Sequence, residues 1–250
     1  MRLNLLTLFP ETFEGPLNAS LIKKAQEKGI LDFNVVDLRQ FAKDKHRTAD
    51  NSPYGGGPGM VILAEIVKNG LDQVENSQNK GLKTRRILLT PAGEQFSQKK
   101  AKELAAYDEL TFVCGHYEGV DGRIGQYIDE ELSVGDYVLT GGEVPALVII
   151  DAIAREIPGV IKEAQSVMED SFQDGLLDYP CYTRPEVWEG QSVPAELMSG
   201  NHAEIAKWRR KQQLKKTLTV RPELLTQAAF SKKGLTKEDG QLLIEIILGQ

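Results

Sequence analysis

Apolar residues arrive in short pulses, separated by turn residues and by stretches of helical spacing. Arg2–Phe9 reads as a strand, and Pro10-Glu11 opens a helix to about Lys28, ended by Gly29. Leu31–Leu38 reads as a second strand. A polar stretch from Ala42 runs into Pro53-Tyr54-Gly55-Gly56-Gly57-Pro58-Gly59, too rich in glycine and proline for a packed element, so it is a loop. Helical spacing returns over Glu65–Gln78 through Ile66, Leu71 and Val74. Arg86–Thr90 is a strand stopped by Pro91-Ala92-Gly93, and Ser97–Tyr107 an exposed helix with Lys99, Lys100 and Lys102. Strands alternating with helices predict an α/β unit whose mostly parallel sheet is covered on both faces.

The stretch Thr111–Ile150 organises the rest. A strand, Phe112-Val113-Cys114, breaks into glycine at 115, 119, 122 and 125. A second apolar pulse, Asp136–Thr140, reads as another strand and breaks at Gly141-Gly142. A helix, Glu143–Ile157, follows at once, with Pro145 in its first turn, where a missing N–H costs little. It is apolar all round, so it is expected to be buried all round, under the sheet or against another subunit. Ligands of such sheets bind beyond the carboxyl ends of strands. Here those ends are Thr90-Pro91, Gly115 and Leu139–Gly142, and glycine there bares the backbone to a ligand. Three separate stretches thus converge on one predicted small-molecule crevice.

Beyond Pro158-Gly159 periodicity fades. The expected organisation is a domain over 1–160, a linker over 161–175 and a helical domain over 176–250. In the last, Asn201 or His202 starts a helix through Leu218 with Ile205 and Trp208 on one face, and Pro222 begins another segment. Thr236 with Asp239 resembles a capping box before Leu242–Leu248.

Composition narrows the chemistry. Two cysteines, Cys114 and Cys181, make no disulfide framework and favour a reducing, cytosolic setting. Arg2–Phe9 is too short and polar for a signal peptide, and no apolar run spans a bilayer. Net charge is −6, yet Lys207, Arg209, Arg210, Lys211, Lys215 and Lys216 crowd one predicted helix. There is no phosphate-binding G-x-x-x-x-G-K-[ST] loop and no G-x-G-x-x-G fingerprint. His46, His116 and His202 are too dispersed for a zinc motif. Cys114 ends an apolar strand, where a core role is more usual than a nucleophile.

Seven ordered motifs carry a resemblance: Leu8-Phe9-Pro10, Pro53–Met60, Cys114–Gly119, Ser133–Glu143, Glu169–Phe172, Tyr182-Thr183-Arg184-Pro185 and Ser199–Glu204. Together they look like bacterial tRNA (guanine-37-N1)-methyltransferase of the TrmD type, in the SPOUT superfamily. The resemblance implies an α/β SPOUT fold with a deep C-terminal trefoil knot in a mostly parallel sheet, plus a small helical C-terminal domain. It also implies a homodimer moving a methyl group from S-adenosyl-L-methionine to N1 of guanosine 37 in tRNA. Two readings stay beside it, a SPOUT enzyme acting on another RNA and a non-catalytic RNA-binding relative.

The resemblance assigns donor binding to Leu88, Leu89, Thr90 and Pro91; to Gly115, Tyr117 and Glu118; and to Ser133, Val134, Gly135, Tyr137, Leu139, Gly141, Gly142 and Pro145. Guanine N1 carries a proton at neutral pH, so a carboxylate must remove it, and the family pattern gives that role to Asp170. Without the family, Asp170 reads as a solvated linker residue or a helix cap. Charge growing on guanine O6 calls for a fixed cation, and Arg155 is the family's candidate. Its plain role is favourable placement at a helix C-terminus. Lys207, Arg209, Arg210, Lys211 and Lys215 are expected to contact tRNA phosphates. The sequence departs from the pattern at Asn51-Ser52, where many relatives carry an acidic then a basic residue, and at His116, where others have arginine.

The 161–175 stretch is expected to be loose when empty and ordered by tRNA, completing the site only with the correct substrate. Limited proteolysis should therefore slow within it when tRNA is added; unchanged cleavage would contradict the ordering.

Overall fold

The structure is a computed structural model that describes residues 1–77, 81–162, 170–230 and 234–249. The chain divides into two units, Met1–Lys162 and Glu163–Gln250. The middle of the expected linker, residues 163–169, lies outside the described residues.

The first unit holds strands β1 (Arg2–Thr7), β2 (Asp32–Asp37), β3 (Asp50–Asn51), β4 (Val61–Ile62), β5 (Thr84–Gln95), β6 (Glu109–Cys114) and β7 (Glu130–Ser133). Its helices are α1 (Glu11–Leu17), α2 (Ser20–Glu27), α3 (Ala64–Asn76), α4 (Gln98–Leu104) and α5 (Glu143–Glu156). Five strands pair in parallel in the order β2-β1-β6-β5-β7. Side chains alternate across this sheet. Leu3, Leu5, Ile87, Leu89, Leu110, Phe112 and Leu132 face a core completed by Phe13 and the buried side of α5. Leu6, Leu88 and Val113 face the opposite core, with Leu38, Ile66 and Ile124. The two faces explain why β6 is buried along its whole length.

Polar groups inside the sheet are paired. Asn4, fully buried, donates from Nδ2 to Glu109 Oε1 at 2.6 Å and to Thr111 Oγ1 at 3.3 Å. Its Oδ1 accepts from Asn34 Nδ2 at 2.8 Å. The ladder ties β2, β1 and β6 together.

Several elements differ from the sequence reading. The long first helix is two, because the chain turns at Asn18 and Ala19 takes an extended backbone. Pro16 removes an N–H that a continuous helix would need. Strand β5 does not stop at Pro91. It bulges, so that Leu89 and Glu94 both pair with Leu132. Gly93 makes this close return possible: a Cβ there would lie 2.5 Å from the Glu131 carbonyl carbon and Leu132 N. Helix α4 is not merely exposed, since Ala101 and Leu104 are fully buried and Lys100 reaches Glu130 at 3.2 Å. Asp136–Thr140 forms no strand. The edge strand comes earlier, at Glu130–Ser133, and Gly135 at φ +150° ends it. Within one chain helix α5 buries one side, and Val144 and Val148, about half exposed at 49% and 48%, share with Asp151 the open face for which the sequence reading allowed another subunit.

In the second unit, residues 170–178 fold back on themselves: Phe172 N donates to Leu176 O, and Asp178 N to Ser171 Oγ. Leu176 is buried with Leu214, Leu225, Ala228 and Leu242. Asn201 caps the helix His202–Val220, and the helices Pro222–Ala229 and Lys237–Leu248 pack near it. Thr236 and Asp239 form the capping box in full. Asp239 also accepts from Arg210 Nε at 2.7 Å and Nη2 at 3.0 Å, while Arg210 Nη1 donates to Asp174 at 2.5 Å. The guanidinium holds the Asp239 carboxyl below the usual carboxylate range.

Asn4→Ala strips a donor from the buried Glu109 carboxylate and should cost about 1–3 kcal/mol, read as a lower urea midpoint. An unchanged midpoint would deny the ladder its role. Because the folded pKa of Asp239 is depressed, its contribution is present above its unfolded value, about 3.9, and is lost as pH falls through the folded value. Asp239→Asn should therefore lower stability near pH 7 by about 3 kcal/mol and flatten the acid side of the stability profile. Equal acid profiles for the two proteins would rule out the clamp.

Candidate active site

Three strand ends meet around one cavity of about 410 Å³, within the range of small-molecule sites. It opens at the bulge of β5 and beyond the carboxyl ends of β6 and β7, the strands on either side of it in the sheet. Leu88–Pro91 contribute the β5 bulge. The turn after β6 contributes Gly115 to Gly122. The loop after β7 contributes Ser133 to Gly142, and Pro145 in α5 closes the floor.

Each wall has a local cause. After Cys114 the backbone turns through Tyr117 at φ +56° and Gly119 at φ +97°. Strand β4 pins this turn from outside: Glu118 N donates to Met60 O, and Ile62 N to Gly119 O, both at 3.0 Å. Gly59 belongs to the glycine-proline loop, and a Cβ on it would lie 2.6 Å from the Glu118 side chain. That loop therefore touches the cavity wall. After β7, Ser133 Oγ donates to Gly135 O at 3.0 Å and accepts from Gly135 N at 3.2 Å. Tyr137 OH donates to Val134 O. Tyr117, Tyr137 and Leu139 are all partly open to solvent, giving the cavity an apolar rim.

Where the two glycine turns meet, side chains would not fit. Gly142 N donates to Gly115 O at 2.8 Å. A Cβ on Gly142 would sit 2.7 Å from Cys114 Cα, and one on Gly141 2.3 Å from Glu143 Oε2. Glu143 opens α5 and is buried. It accepts from Thr7 Oγ1 at 2.6 Å, and Thr7 in turn accepts from Phe9 N at 2.8 Å. His116 Nδ1 lies 3.8 Å from the other Glu143 oxygen and, among the described residues, has no hydrogen-bond partner. Its ring packs on Phe9 and meets the edge of Tyr117, each at 4.5 Å between centroids. Burial, then the Glu143 charge, pushes the Cys114 thiol well up, which removes it as a nucleophile.

All the residues to which the sequence reading assigned donor binding, from Leu88 to Pro145, line this cavity. The reading missed His116, Val120 and Asp121, which line it too. Arg123 grips the Asp121 carboxylate in two hydrogen bonds and holds its pKa at about 2, so this wall stays charged. The buried Thr7–Glu143 contact was also missed; an acidic residue directly opening an apolar helix was its only signal.

The remaining assigned residues lie apart in sequence and element. Arg155 stands in the last turn of α5, and Asp170 belongs to the second unit. Of the basic run, Lys207, Arg209 and Lys215 are exposed on the helix His202–Val220. Arg210 and Lys211 are instead turned into their own unit, Arg210 by Asp239 and Asp174, Lys211 by Glu245 at 2.8 Å. Their charges were legible in the sequence; the acids that take them up, some 30 residues away, were not.

Comparison with known proteins agrees with this geometry. The family model described as tRNA (Guanine-1)-methyltransferase TrmD matches residues 1–227. A tRNA (guanine-N(1)-)-methyltransferase of Chloroflexus aurantiacus is 51% identical over 247 residues, 98% of this chain and 96% of the relative. Proteins of the same name from Dictyoglomus turgidum and Bacillus pumilus are 48% and 49% identical, each over 98% of this chain and over 96% and 99% of their own. With the match running through every strand end that builds the cavity, the chain belongs to the TrmD family of tRNA (guanine-1)-methyltransferases.

Proposed function

We propose that this protein transfers a methyl group from S-adenosyl-L-methionine to N1 of guanosine 37 in tRNA, 3′ of the anticodon. The observation that carries the reading is the glycine-lined cavity at three adjacent strands, in a chain of this family. The cavity suits the donor: its size is right, backbone is bared at Gly115, Gly141 and Gly142, and its mouth is apolar. Backbone groups of Leu88–Pro91, Ser133–Gly135 and Leu139 would hold the adenine and ribose, with Tyr117, Glu118, Val134, Tyr137 and Pro145 enclosing them. When bound, the donor supplies an electrophilic methyl group.

The chain's own work is to prepare the nucleophile. The Asp170 carboxylate takes the N1 proton of guanine, which is otherwise a poor nucleophile. The Arg155 guanidinium meets the negative charge growing on O6, stabilising the transition state more than the ground state. Lys207, Arg209 and Lys215 contact backbone phosphates, an interaction that weakens with salt. Arg210 and Lys211 are left out of that set because acids of their own unit engage them.

The deep knot belongs to the same proposal. Its support is the tight crossing of the two glycine turns, where Gly142 packs on the Cys114 backbone. A homodimer is supported by the open Val144–Val148 face of α5, an apolar strip beside the cavity's floor. A cytosolic setting is supported by the two free cysteines. Among the described residues no helix is long and apolar enough to cross a membrane.

Incubation with labelled donor and tRNA transcripts carrying guanosine or adenosine at position 37 tests the reading. Label should enter the guanosine transcript alone and map to N1. Label in neither transcript, or on another atom, would reject it. Asp170→Asn should keep donor binding and lose about 10²–10⁴-fold in turnover; ordinary turnover would remove Asp170 as the base.

A further inference from the structure

We propose that the second unit carries a nucleobase-stacking subsite, sharing no residue with the glycine-lined cavity, for an unpaired base of the RNA substrate. The proposal rests on the reading of the chain as a tRNA methyltransferase. A cavity of about 720 Å³ lies wholly within this unit, and the rings of Tyr179, Tyr182 and Trp208 line it. Tyr182 and Trp208 meet edge to face, their centroids 6.1 Å apart at 63°. The Arg209 guanidinium lies over the Tyr179 ring, 4.9 Å from its centroid, and Arg184 stands on the same wall.

These rings are not the unit's core. Among the described residues, the buried cluster of Leu176, Leu214, Leu225, Ala228 and Leu242 contains no aromatic side chain. At 100° per residue, Arg210, Leu214 and Thr217 mark the face of the helix His202–Val220 that points into this core. Ile205 and Trp208 fall on roughly the opposite face and Arg209 on the flank between, and all three line the cavity. The helix is therefore apolar on two sides: one is buried in the core cluster, and on the other Ile205 and Trp208 are only half-buried at the cavity. Aromatic planes beside guanidinium groups are how proteins hold single-stranded bases: rings stack on either face of any base, and arginine stacks or meets phosphate. One acid, Glu186, also lines the cavity, offering a carboxylate acceptor to base amino groups. The cations Arg184 and Arg209, with exposed Lys207 nearby on the helix, suit a polyanion better than an acidic or neutral protein surface.

The chain has two tryptophans, so Trp188→Phe leaves Trp208 as the single tryptophan, whose emission can be excited apart from that of tyrosine. Titration of that protein with unmodified guanosine-37 tRNA transcript should quench Trp208. In the full chain, Trp208→Ala should weaken tRNA binding about tenfold or more while the slope of log K against log salt stays the same. Trp208→Phe, which keeps a ring, should recover most of the affinity. Arg209→Ala should instead reduce the salt slope by about one. Thermal melts and donor binding report folding of the variants. If Trp208→Ala unfolds the second unit, exposed Tyr182→Leu carries the same comparison. Wild-type affinity in the ring variants would overturn the subsite. So would a Trp208 signal that follows protein concentration without RNA, which would mean that a second copy covers the cavity. Failure of the wild-type protein to bind or methylate tRNA would strike the substrate reading itself, a different result from tight tRNA binding that ignores the rings.

Discussion

The fold depends on a place where two backbones come too close for side chains. Gly142 N donates to Gly115 O, and the Gly142 Cα packs against Cys114 with no room for a methyl group. This one contact joins the end of β6 to the start of α5. It also brings the loop after β7 across the sheet to face the turn after β6. Without that approach the three strand ends would remain separate loops. With it they become one wall, and backbone N–H and C=O groups line a cavity that side chains would otherwise fill.

Glu143 fixes the same junction from the inside. A buried carboxylate is costly unless it is hydrogen-bonded, and here Thr7 supplies a hydroxyl from the end of β1. The first strand, the β6 turn and α5 are thereby joined at one point beneath the cavity floor. The His116 ring fills the space between Phe9, Tyr117 and Glu143. The glycine-rich turns are thus braced by a polar contact below and by β4 outside, where Met60 and Ile62 hydrogen-bond to the turn.

Much of this was legible in the sequence, for physical reasons that can be named. Apolar pulses such as Leu3–Leu6 and Leu110–Cys114 mark strands buried on both faces, and glycine after Cys114 and Thr140 marks bared backbone. The Thr236–Asp239 capping box is local chemistry and reads directly. The failures share a different cause. Strand β5 runs past Pro91 only because Gly93 meets the backbone of Glu131, some 40 residues on. Tyr137-Val138-Leu139 reads as a strand because it is apolar, but its apolar side chains line a cavity rather than a core. Arg210 reads as a free cation because Asp174 and Asp239, which claim it, come from distant turns. Periodicity records which residues avoid water; it does not record what they avoid it with.

The Thr7–Glu143 hydrogen bond joins residues 136 apart in the chain. Strand β1 likewise pairs with β6, more than a hundred residues later. During synthesis the first strand pairs early only with the edge strand β2, and must wait more than a hundred residues before its central neighbour, β6, exists. Non-local pairing of this kind makes for slow maturation and a long interval with unpaired strand edges. The cavity floor is thus among the last features a nascent chain can complete, and the chain is most exposed to misassociation just before it becomes competent to bind.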